Sequence, residues 1–118
     1  MKRVIVTLFL LFLFPDFILL SEQIPGKQTY ENYCSSCHSL EPPPKAAPPF
    51  RGIYMHYSAE YKERKAFAQA IRKFVHSADS SPSLMPQAQE RFGKMPALPL
   101  KKEEIEELGY WIWDHFND

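Results

Sequence analysis

Residues 4–20 are apolar except at Thr7, Pro15 and Asp16, and the chain turns polar at Ser21, Glu22 and Gln23. Lys2 and Arg3 place positive charge ahead of this run. A charged start, an apolar middle and a polar exit form the layout of a secretory signal peptide. The uninterrupted apolar part, residues 4–14, is shorter than the roughly twenty residues a bilayer span requires. Leu19 and Ser21 only half satisfy the rule of small residues before a cleavage site. We therefore expect a signal peptide over residues 1–21 with an open cut site, and an uncleaved N-terminal membrane anchor as the alternative. Either arrangement puts residues 22–118 outside the cytoplasmic membrane, in the periplasm or its equivalent.

Beyond the leader the polarity pattern has the period of helices, and no stretch argues for strands. Tyr30, Tyr33, Cys34 and Cys37 share one side of a helix predicted over residues 26–38. Residues 41–50 contain Pro42, Pro43, Pro44, Pro48 and Pro49 and read as loop. A second helix is predicted over 58–77, with Ser58 as N-cap and a stripe of Phe67, Ile71, Phe74 and Val75. Residues 80–100 carry Pro82, Pro86, Pro96 and Pro99, which leaves room for at most a short helix over 87–92. The last helix starts near Lys101 or Lys102 and shows Ile105, Leu108, Ile112 and Phe116 on one face. The fold class is all-α, a single domain over 22–118 without internal repeats.

A domain of this length buries proportionally little surface. The sequence has nine Phe, four of them within residues 1–21, with six Tyr and two Trp; those beyond the leader would suit packing around a flat apolar cofactor, although ordinary cores also use aromatics. The formal net charge is zero and the charges are scattered, so the basic stripe of a nucleic-acid binder is absent. Glu103, Glu104, Glu106 and Glu107 cluster where acids favour a helix N-terminus.

The chemistry concentrates in Cys34-Ser35-Ser36-Cys37-His38, which holds both cysteines of the chain. A disulfide suits an exported chain. A zinc site would need a second pair of ligands, but His56, His76 and His115 stand alone in the sequence. A thioredoxin-like pair would need a βαβ setting. The adjoining His38 favours another reading, because Cys-x-x-Cys-His is the attachment motif of c-type haem. Two thiols three residues apart on a helical turn can each add to one vinyl group of a single haem. The next residue then offers its imidazole to the iron. We expect one covalent heme c, with iron bound by His38 on the proximal side.

Around this motif the chain resembles the class I cytochrome c family, especially its small bacterial members. Gly26, Tyr30 and the motif reproduce the family's spacing of glycine, aromatic and attachment site. Residues 47–52, Ala-Pro-Pro-Phe-Arg-Gly, stand where the family has Gly-Pro-x-Leu-x-Gly, with Ala47 replacing the first glycine. Met95-Pro96 and then Leu108 with Trp111 follow the family's Met-Pro and its final helix. The resemblance covers residues 26–116. It implies the cytochrome c fold, with the first and last helices crossing, and glycines at Gly26 and Gly109 would let the backbones approach. Tyr30 and Trp111 would pack at that crossing. It also implies that the Pro48 carbonyl accepts a hydrogen bond from His38, with Pro49 as the alternate.

The distal iron ligand sets potential and reactivity. Met95 and Met85 each precede a proline, and Met95 has the family's short linker to the final helix. Met95 is the expected ligand and Met85 the alternate. The resemblance implies a one-electron carrier that meets redox protein partners and is not an enzyme. An electron-transfer subunit of a larger oxidoreductase or a haem-based sensor is the alternative. A small peroxidase would need an open distal site and acid–base groups such as Arg91 or His76 beside it.

Overall fold

The computed structural model describes residues 23–118. The signal-peptide and anchor readings concern residues outside the described ones. Among the described residues every regular element is helical, and no helix is long and apolar enough to cross a membrane.

Helix α1, Pro25–Thr29, begins with a proline at its first positions, where the missing N–H is no loss. It continues into a π-helical turn, Tyr30–Cys34, closed by Ser35 N–H donating to the Tyr30 carbonyl at 2.9 Å. The sequence placed this helix as far as residue 38. It ends sooner because the amides of Cys37 and His38 both turn back onto the Cys34 carbonyl, at 3.1 and 2.8 Å.

Helix α2, Phe50–Glu60, was not foreseen. Pro49, in an extended conformation, leads the chain into it, and Tyr61 leaves it extended. Ser58 is therefore near the end of α2 and caps nothing. Helix α3, Arg64–His76, starts after Glu63 rather than at residue 58. It buries Phe67, Ala68, Ile71 and Val75, the stripe expected except that Phe74 is only half-buried. Helix α4, Pro86–Phe92, is short, buries no residue, and ends at Gly93 with φ of 84°.

Helix α5, Lys102–Phe116, carries the central apolar face: Ile105, Leu108, Ile112 and Phe116 are all buried. Its first turn is fixed by Glu104, whose carboxylate accepts from the Lys101 amide at 2.8 Å. With Phe67, Ile105, Leu108 and Ile112 are the largest fully buried side chains of the core. Two ion pairs tie α3 to α5: Arg64 bidentate to Asp114 at 2.8 Å, and Arg72 to Glu106 at 2.8 Å.

The two glycines expected at one helix contact serve two different ones. Gly26 lets α1 lie against α5, since a Cβ there would overlap the Glu107 carbonyl oxygen and the Trp111 Cβ. Gly109 instead faces α3, where an added Cβ would sit 2.7 Å from the Ala68 Cα. Tyr30 stacks on Trp111 with ring centroids 5.3 Å apart, at the α1–α5 contact.

Candidate functional site

A deep, mostly apolar pocket lies between the loop after the π-helical turn, α2, α3, α4 and α5. Its empty space, including the part open to solvent, is ≈ 1030 Å³. Cys34, Cys37, His38 and Pro48 form part of its wall. Met85, Phe92, Met95 and Pro96 form another part. Ile53, Tyr57, Ile71, Phe74, Leu108 and Ile112 complete the lining.

The π-helical turn delivers the first thiol. Cys34, its last residue, is buried, while Cys37 is exposed, and neither is in a disulfide. Burial pushes the Cys34 thiol up to about 11, helped by the neighbouring Cys37. In the absence of a bound group this thiol stays protonated near neutral pH.

His38 is only 8% exposed. Its Nδ1 lies 2.7 Å from the Pro48 carbonyl oxygen. A carbonyl can only accept, so Nδ1 carries the proton and Nε2 keeps its lone pair. Burial lowers the imidazole's proton affinity, and the Pro48 carbonyl partly opposes this by favouring the protonated ring. The outcome is a neutral imidazole of fixed tautomer, the form in which histidine binds metals. Pro49 leads into α2 and Pro48 alone makes the contact.

The backbone around His38 is pinned by the returning chain. Ala47 N–H donates to the Cys37 carbonyl at 3.0 Å, Phe50 to that of Ser39 at 2.8 Å, and Arg51 to that of Leu40 at 3.0 Å. The His38 carbonyl accepts from the Tyr30 phenol at 2.9 Å, in a buried setting. Lys45 reaches the Ser35 carbonyl at 2.7 Å, and Arg51 forks onto Glu41, with one arm at 2.6 Å.

Both methionines are half-buried. Met95 packs against the core cluster, as does Leu98 beyond it. Met85 stands at the N-terminus of α4, its amide donating to the Ser83 hydroxyl at 2.9 Å. Burial raises the Tyr57 phenol above its ordinary value, opposed by the neighbouring Leu84 backbone and Ser83 side chain.

Among the described residues no three His, Cys, Asp or Glu side chains converge as metal ligands. His56, His76 and His115 are exposed and none lines the pocket, nor does Arg91. Gln89 and Lys94 are polar lining residues that the sequence did not single out. Tyr57 and Ile53 were also missed, although Phe50, Ile53, Tyr54 and Tyr57 have the spacing of one helix face and would have exposed α2. No family model, no curated protein and no solved structure matches the chain.

Proposed function

We propose that the chain is an exported class I c-type cytochrome that carries single electrons on one covalent haem. The observation that carries this reading is a single one. A buried, neutral histidine with its Nε2 free shares an apolar pocket with both thiols of a Cys-x-x-Cys-His motif and with two methionines. A flat macrocycle needs apolar walls, and a histidine ligand needs its other nitrogen bonded to fix ring and tautomer. The pocket offers both, so the residues present fit the group.

Cys34 and Cys37 would form the two thioethers, and His38 would bind the iron. Met95 would supply the second iron ligand, because it is anchored on the core while Met85 stands at the start of a helix that buries nothing. A haem held by His and Met supplies a one-electron couple of raised potential. The chain's own part is to exclude water with Phe50, Ile71, Leu108 and Ile112, and to keep His38 oriented through Pro48. The α1–α5 contact at Gly26 supports the cytochrome c fold. The apolar 4–20 run supports export, and transient contact with redox protein partners follows from a small carrier's task.

Expression with the haem-attachment machinery tests the reading. Acid–acetone extraction should leave colour on the protein, and Cys34→Ala with Cys37→Ala should abolish it. A colourless, correctly folded wild type would refute the proposal.

A further inference from the structure

Three backbone carbonyls in a row of four around the attachment motif take their hydrogen bonds from the returning chain: Cys37 from Ala47, Ser39 from Phe50, and Leu40 from Arg51. The fourth, His38, falls opposite Pro48 and Pro49. Neither proline has an N–H, so the returning chain cannot donate at that step. Yet Pro48 is required there for another purpose, since its carbonyl accepts from His38 Nδ1 at 2.7 Å. The Pro48-Pro49 pair, whose first member orients the imidazole, would therefore leave the histidine's own carbonyl buried without a partner.

We infer that Tyr30 is a positioning residue for His38, its phenol supplying the donor that Pro48 and Pro49 lack. Its oxygen lies 2.9 Å from the His38 carbonyl oxygen, eight residues away in sequence and buried. The ring is fixed on both sides, by Trp111 at 5.3 Å and Phe50 at 5.0 Å, so the hydroxyl has little freedom to point elsewhere. Phe50 in turn packs on the His38 ring at 5.2 Å. The amide of His38 donates to Cys34 at 2.8 Å. Residue 38 is thus held at its amide and its carbonyl by the π-helical turn, and at its imidazole by Pro48. Loss of the carbonyl bond alone frees the peptide between His38 and Ser39 to rotate toward another donor, and the imidazole rotates with it.

This inference rests on reading the pocket as a haem site, and the test separates the two. In the loaded protein, Tyr30→Phe keeps the ring and deletes the donor. It should lower Tm and also shift the reduction potential and the ferric haem's paramagnetic NMR spectrum, which reports imidazole orientation. Ile105→Val, in the core and away from the pocket lining, should lower Tm without moving either. In the wild type, the Tyr30 hydroxyl proton should be visible by NMR and slow to exchange, a measurement that needs no variant to fold. A Tyr30→Phe protein with unchanged potential and spectrum, or a wild type whose Tyr30 hydroxyl exchanges freely, would overturn the role of Tyr30 alone. A wild type that takes up no haem would overturn both readings.

Discussion

On the wall that carries His38, the polar groups are paired and the chain is crossed by bonds from distant segments. His38 reaches Pro48, Tyr30 reaches His38, and Ala47, Phe50 and Arg51 close the loop behind them. On the wall that carries Met85 and Met95 the only helix, α4, buries nothing, and both sulfur side chains stay half-buried. A strong, oriented ligand needs the first kind of wall. A weak, neutral thioether ligand tolerates the second, and a loosely held wall is where local opening begins. The difference teaches that one side of the pocket is set by hydrogen bonds and the other mainly by packing of Met95 and Leu98 on the core.

The strongest way to break the comparison is to displace the His38 wall as a whole. Gly26→Val would drive side-chain atoms into the Glu107 carbonyl and Trp111, and neither backbone nor Cβ can give way. We expect a loss of about 3 kcal/mol or more in urea unfolding, or no folded protein. Gly52→Ala, in a helix with nothing within 4 Å of the new methyl, should instead gain about 0.5–1 kcal/mol.

Next in size is the choice between the methionines. In the loaded protein, Met95→Ala should abolish the weak long-wavelength band of ferric Met-ligated haem, admit cyanide rapidly, and cost about 2 kcal/mol in stability. Met85→Ala should leave the band intact. Loss of the band in the second variant would move the ligand to the start of α4 and reverse the contrast between the two residues.

Gly93→Ala tests how loosely the methionine wall is held. The residue sits at φ 84° and ψ 179° with open space around it, so the expected loss, about 1–3 kcal/mol, is backbone strain alone. Faster cyanide binding without loss of the band would show that the wall opens more often while its ligand is unchanged.

The smallest effect belongs to the exposed pair on α3 and α5. Arg64 holds the Asp114 carboxyl below its ordinary value, chiefly through the hydrogen bond. A depressed carboxyl stabilises the fold above its unfolded value, near pH 4, and that contribution is lost as the pH falls through the folded value. Arg64→Ala should cost under about 1 kcal/mol at pH 7, and the difference from wild type should vanish in acid.

The Cys-x-x-Cys-His motif, the apolar stripes of α3 and α5 and the short α4 were legible in the chain because each depends on neighbours in sequence. Cys34, Cys37 and His38 lie within one turn and its continuation, and Ile105, Leu108, Ile112 and Phe116 repeat at the helical period. Helix α2 was missed although Phe50, Ile53, Tyr54 and Tyr57 repeat at helical spacing: only Phe50 and Tyr57 are buried, and the prolines before it pulled the reading toward loop. Gly109 shows the same limit, since a glycine declares that something comes close but not what. Its neighbour proved to be Ala68 of α3 and not α1.

By itself the sequence determined an all-helical chain and put two thiols and an imidazole on one short segment, because period and spacing are local properties. Only the tertiary structure decided that Met85 and Met95 line the same pocket, that Pro48 and not Pro49 meets His38, and that the Tyr30 hydroxyl completes the His38 backbone. Those contacts join segments that are eight or more residues apart, and a hydrogen bond of that kind forms only when the packing of whole helices has already fixed where both of its ends lie.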